Sequence, residues 1–178
     1  MRRSASHHPT KRKPSGGVHY CVMNSPVGKL LLAGNQKGLS LVCFQDGAHP
    51  ITPEPSWTYD EKPLQKPMSQ LKAYFAGRRK AFSLKLKPEG TSFQLRVWKR
   101  LHAIPYGRTL SYGQIAKAIG KPQASRAVGA ANGQNPLSIV VPCHRVIGST
   151  GRLVGYGGGL AIKETLLSLE RRYDLGKD

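Results

Sequence analysis

The 178-residue chain is long enough for one good core, or for a small lobe joined to a larger one. No apolar run is long enough to cross a membrane, residues 1–17 lack the hydrophobic stretch of a secretory signal, and the three cysteines, Cys21, Cys43 and Cys143, are too scattered for a disulfide framework. A net charge of +19, from 28 Lys plus Arg against 9 Asp plus Glu, sets a polyanion partner against a merely solvated basic surface.

In chain order, residues 1–17, MRRSASHHPTKRKPSGG, are basic and poor in apolar side chains, which predicts a disordered arm. His7 and His8 have no further metal ligand nearby in sequence. The segment VHYCVMNSPVGKLLLAGNQKGLSLVCF alternates apolar runs with the turns Asn24-Ser25-Pro26 and Asn35-Gln36-Lys37-Gly38. That pattern predicts a strand meander, with Cys21 and Cys43 as core residues. Pro50 to Pro67 reads as a proline-punctuated connection and MSQLKAYFAG as a short amphipathic helix stopped by Gly77. AFSLKLKPEG alternates like a last strand and turn.

From Thr91 the period becomes helical. TSFQLRVWKRLHAI spaces Phe93, Val97, Leu101 and Ile104 along one face before Pro105-Tyr106-Gly107 ends it. SYGQIAKAIG opens with Ser111 three residues before Gln114, a capping-box pattern, and closes on Gly120. QASRAVGAANGQNP is a second short helix, and the tight Gly-Lys-Pro turn between the two predicts a helix-turn-helix. Ala124, Ala127, Gly129, Ala130 and Ala131 leave this second helix little bulk, which suits close approach to another surface, either a nucleic acid or a neighbouring helix. Arg126 stands among them as a solvated side chain or as a finger that enters a groove and replaces a displaced base.

Between Gly90 and Lys163 there is no carboxylate, yet the segment carries ten bases: Arg96, Lys99, Arg100, Arg108, Lys117, Lys121, Arg126, Arg145, Arg152 and Lys163. An ordinary surface mixes signs, so this block favours nucleic acid. Within it lies SIVVPCHRVIG. SIVV predicts a buried strand, and Cys143 is then a packed thiol, a metal ligand or a nucleophile. Metal binding lacks a CxxC partner, whereas a nucleophile suits the adjacent His144 and Arg145, because nearby cations favour a thiolate. His144 as a base requires an acceptor to orient it. On a helix from Leu160 to Tyr173, Leu160, Ile162, Leu166, Leu167, Leu169 and Tyr173 form one face with Glu170 near its middle. A carboxylate there needs a buried partner, either His144 or an arginine, and the reading favours the histidine.

NPLSIVVPCHRVIG followed by GYGGGLAIKETLLSLE resembles the methylated-DNA–protein-cysteine methyltransferases. The similarity extends upstream through FQLRVWKRLHAIPYGRTLSYGQIAKAIGKPQASRAVGAANGQNP and more loosely to YCVMNSPVGKLLLAG. Beyond the basic arm over 1–17, the resemblance implies an α+β chain with a ribonuclease-H-like β lobe with a helix over 18–90 and a mainly helical DNA-binding and alkyltransferase domain over 91–178. It makes Cys143 the alkyl acceptor, His144 the base acting through a water, and Glu170 the carboxylate that orients it. Asn135 ties the DNA-binding helices to the active-site strand, and Tyr112 rotates the target phosphate and protonates the leaving base. Arg126 fills the gap left by a flipped nucleotide, with Ala124, Ser125, Ala127 and Gly129 against the minor groove. Val146, Tyr156, Gly157 and Gly158 line the substrate pocket. Some members carry serine where Gly157 stands, and some a structural zinc, for which no Cys/His set is visible here. No metal and no cofactor are expected. The implied partner is double-stranded DNA with alkylated guanine, bound by a cytoplasmic monomer, nuclear in a eukaryote. Two rivals remain: a lesion-sensing DNA-binding protein of the same fold, whose kind lacks the cysteine, and a Cys-His-Glu hydrolase, which leaves the acid-free block unexplained.

Overall fold

A computed structural model describes residues 17–175. The predicted arm therefore lies outside the described residues apart from Gly17, as do residues 176–178. The meander folds as predicted: β1 (His19–Ser25), β2 (Gly28–Asn35) and β3 (Gly38–Phe44) pair antiparallel, and a two-residue β4 (Thr58–Tyr59) adds parallel to β1, giving the order β3-β2-β1-β4. The first turn closes through the Ser25 hydroxyl, which donates to the Gly28 carbonyl at 2.6 Å, and the second through Asn35, whose side chain accepts from the Lys37 amide at 2.9 Å. Gly28 and Gly38 have φ of +95° and +140°, a region that side chains with a Cβ rarely adopt.

Residues 30–33 of β2 and 39–44 of β3 are buried in an unbroken run, because both faces of the sheet are covered. Leu31, Ala33, Leu41 and Cys43 pack under Ile51 and Trp57 from the connection after β3. On the other face, Cys21, Leu30, Leu32 and Val42 join a continuous core with α1 (Gln65–Phe75) and the C-terminal helices. The alternation in AFSLKLKPEG does not yield a strand. Only Leu39 and Leu86 form a bridge, while Phe82, Leu84 and Leu86 lie partly buried against the core as an irregular strap.

The C-terminal half contains α2 (Ser92–His102), α3 (Tyr112–Ala118), α4 (Ser125–Gly133) and α5 (Leu160–Leu175), with a short parallel pair β5 (Leu110–Ser111) and β6 (Val146–Ile147). The Ser111–Gln114 capping box is formed, and an equivalent box, Thr91 with Gln94, starts α2. The latter was written in the sequence as T-x-x-Q just before an apolar-periodic run.

SIVV is not a strand. Leu137 bridges Val42 of β3, after which the chain turns back on itself: Val140 donates to Ser138 O and Val141 to Leu137 O, both at 2.8 Å. Ile139 has a φ of +71°, where a β-branched residue is strained by roughly 1–3 kcal/mol. Its side chain is fully buried. Burial of the apolar run predicted its environment; the turn that delivers Cys143 predicts its conformation.

Candidate active site and nucleic-acid interface

Cys143, His144 and Arg145 form a single 3-10 turn between the buried turn and β6, and all three are buried. The sharp turn lets adjacent residues serve one site, which an extended chain would forbid. The strand β3 carries this segment: Val42 donates to Pro136 O at 2.8 Å and accepts from Ser138 at 3.1 Å. From α4's end, the Asn135 side chain donates to Val141 O at 2.8 Å and to Cys143 Sγ at 3.0 Å, and its oxygen accepts from the Leu137 amide at 3.0 Å. One amide thus fixes the turn and touches the sulfur.

Glu170 of α5 is fully buried and binds five donors. Its Oε1 accepts from Tyr74 Oη (2.7 Å), His144 Nε2 (2.8 Å) and Arg145 Nη2 (2.9 Å). Its Oε2 accepts from Arg145 Nε (2.9 Å) and the Gly107 amide (3.1 Å). The choice between histidine and arginine posed by the sequence has the answer both. Burial pushes the carboxyl up, but the hydrogen bonds from His144 and Arg145, with the charge of Arg145, outweigh it and hold Glu170 low, at about 2. The Arg145 guanidinium also donates to Ile104 O at 2.6 Å and lies 5.5 Å from the Tyr106 ring centre.

Burial lowers His144 below the usual histidine range, against the raising influence of Glu170. A neutral ring whose Nε2–H points at a carboxylate has its lone pair on Nδ1. That atom is buried and has no hydrogen-bond partner among the described residues. The arrangement can therefore accept a proton next to a sulfur. Among the described residues no group of three His, Cys, Asp or Glu side chains is placed to hold a metal ion.

Residues 92–172 match the family described as 6-O-methylguanine DNA methyltransferase, DNA binding domain, and residues 18–88 match its ribonuclease-like domain. The chain belongs to the methylated-DNA–protein-cysteine methyltransferase family. It is 54% identical over 153 residues to the methylated-DNA–protein-cysteine methyltransferase of Methanosarcina acetivorans, covering 86% of this chain and 98% of the relative. Its fold is similar to that of Mycobacterium tuberculosis OGT in complex with DNA, with a TM-score of 0.82 and 49% identity over 87% of this chain and 94% of the other.

In this methyltransferase fold the two helices of the predicted helix-turn-helix, α3 and α4, pack together. On α4, Arg126 and Ala127 are exposed, while Ala124, Ser125 and Gly129 are half-buried. Tyr112 begins α3; its hydroxyl donates to Val154 O at 3.2 Å and contacts Gly155 O at 3.4 Å. Burial first, then the neighbouring Cys143, raises its pKa above the ordinary tyrosine value. Val146 is buried in β6, and Tyr156, Gly157 and Gly158 lie on the loop between β6 and α5. The buried Tyr156 hydroxyl lacks a well-formed hydrogen bond among the described residues, and burial followed by Cys143 pushes it well above its usual range.

Sequence reasoning set Arg145 beside the thiol and an unnamed arginine against Glu170 without joining the two, and it missed Tyr74 and the burial of Lys163. Arg145 and Tyr74 complete the cage of Glu170. Lys163, counted among the ten surface-type bases, is wholly buried and donates to Val154 O at 2.9 Å. Burial pulls it down to about 8, with Cys143 opposing. The available signal was its place one turn from Leu160, Leu166 and Leu167. In turn Leu160, assigned to the apolar face of α5, is 48% exposed.

Proposed function

We propose that this chain repairs DNA by direct reversal, moving an alkyl group from the 6-oxygen of guanine, and from the 4-oxygen of thymine, to Cys143. The observation that carries the reading is His144, whose Nε2 lies 2.8 Å from Glu170 and whose buried Nδ1 has no partner among the described residues, next in the chain to a cysteine that Asn135 contacts. His144 takes the Cys143 proton through a water, and the thiolate attacks the alkyl carbon in line. The S–C bond forms as the O–C bond breaks, and the electron pair leaves with the base, which Tyr112 protonates. Arg126 fills the gap left by the extruded nucleotide in the minor groove, with Ala124, Ser125, Ala127 and Gly129 close to the backbone. Val146, Tyr156, Gly157 and Gly158 wall the pocket.

The product is a thioether, which lacks the carbonyl that lets water clear a thioester, so each monomer acts once and uses no cofactor or metal. We place the reaction inside the cell, in the cytoplasm, where reducing conditions keep Cys143 a thiol. Mass spectrometry after mixing with methylated duplex tests this. One methyl on Cys143 and one repaired base per protein are expected, and Cys143→Ser abolishes both. No adduct would indicate a lesion sensor, and many products per protein through a transient acyl adduct would indicate a hydrolase.

A further inference from the structure

The loop that walls the proposed pocket rests on the other lobe. A Cβ built on Gly158 would lie 2.8 Å from Phe44 Cδ2, 3.0 Å from Phe44 Cε2 and 3.0 Å from Tyr156 Cε1. A Cβ on Gly47 would lie 3.2 Å from Gly158 Cα, 3.3 Å from Gly157 O and, behind it, 3.2 Å from Phe44 Cβ of its own lobe. Neither glycine has a left-handed φ, so at both positions the missing side chain serves close approach rather than backbone freedom. Phe44 ends β3, and its ring centre is 5.9 Å from that of Tyr156. The turn after it is pinned to β2: Gln45 donates to Lys29 O at 2.8 Å and Asp46 accepts from the Lys29 amide at 2.9 Å. Phe44 is 3% exposed, so the contact is a packed one. Lys163 also ties the loop to α5, donating to Val154 O at 2.9 Å.

We propose that the first lobe sets the width of the alkyl pocket, with Phe44 and Gly47 as positioning residues that fix the distance of the Tyr156–Gly158 loop from Cys143. The proposal rests on the alkyl-transfer reading of the site. A densely packed contact transmits a displacement instead of absorbing it. Removing the Phe44 ring lets the loop sink toward the sheet and widens the pocket. Adding a Cβ at Gly47 pushes the loop toward the sulfur and narrows it. Neither residue touches the reacting atoms.

The test is the ratio of single-turnover rates on benzyl- and methylguanine at saturating substrate, measured on the full chain. Phe44→Ala is expected to raise the benzyl-to-methyl ratio about tenfold, the scale on which pockets discriminate one small apolar group. Gly47→Ala is expected to lower it, and Phe44→Leu to return most of the original ratio. Equal slowing of both substrates, or a shift in the same direction for Phe44→Ala and Gly47→Ala, would overturn the proposal. If Phe44→Ala does not fold, the direction of Gly47→Ala decides alone: a lower ratio supports the proposal, while an unchanged or higher one overturns it. Failure of the unaltered protein to transfer methyl to Cys143 would instead overturn the alkyl-transfer reading itself.

Discussion

Arg126 and Arg145 are the same residue in the same acid-free segment, and the fold uses their charge in opposite ways. Arg126 is exposed on α4 and forms no ion pair among the described residues, so its guanidinium is available to something outside the protein. Arg145 is buried, shares both oxygens of Glu170 and caps Ile104 O, so its charge is spent inside. A run of bases in sequence is therefore not yet a surface. Lys163 makes the same point, being counted in that run while lying wholly within the core.

The contrast breaks first at Glu170. Glu170→Gln leaves Arg145 buried without its counter-ion, which should cost about 3–5 kcal/mol of folding stability and disorient His144. Denaturant unfolding combined with single-turnover assays checks both effects, and a change smaller than ~1 kcal/mol would show that the cage does not hold the fold.

The same cage predicts a pH dependence. An unfolded glutamate takes up its proton near 4.5, whereas Glu170 does so only near 2. Between those values the unfolded chain binds more protons. Stability present above pH 4.5 should thus fall as the pH drops through that window. Glu170→Gln should flatten this part of a melting-temperature profile.

Arg126→Ala should do the reverse of Glu170→Gln. It leaves the melting temperature unchanged, slows repair of alkylated duplex, and spares reaction with the free alkylated base, because extrusion is absent there. Equal losses on duplex and free base would remove Arg126 from the extrusion step. The smallest effect is expected at Gly157. Among the described residues a Cβ there meets only Gly133 O, at 3.5 Å, and the backbone is not left-handed, so Gly157→Ser should fold without penalty. If Gly157 walls the pocket as proposed, its hydroxyl adds a donor there and should raise the transfer rate modestly.

The sequence exposed the local elements well and the packed ones unevenly. The β1–β3 meander, the Ser111–Gln114 box and the two-helix hairpin rest on short-range patterns of turn residues, caps and period, and each appears close to where those patterns placed it. SIVV misled because an apolar run reports burial, and a buried turn stabilised by Asn135 and β3 satisfies burial as well as a strand does. AFSLKLKPEG misled for the opposite reason: its alternation is real, but only one residue finds a pairing edge. At Glu170 the apolar stripe of α5 announced a buried carboxylate in need of a partner. It could not announce Tyr74, which lies 96 positions away in the chain.

What the amino-acid sequence determined by itself is what neighbours along a chain can settle: element types, caps, the acid-free block, and a cysteine set next to a histidine. The tertiary structure alone decided which charges stay inside, which nitrogen of His144 is left without a partner among the described residues, and which lobe packs against the loop at Tyr156–Gly158. Those outcomes depend on donors and surfaces brought together from segments far apart, where desolvation and close packing, rather than local preference, set the energy.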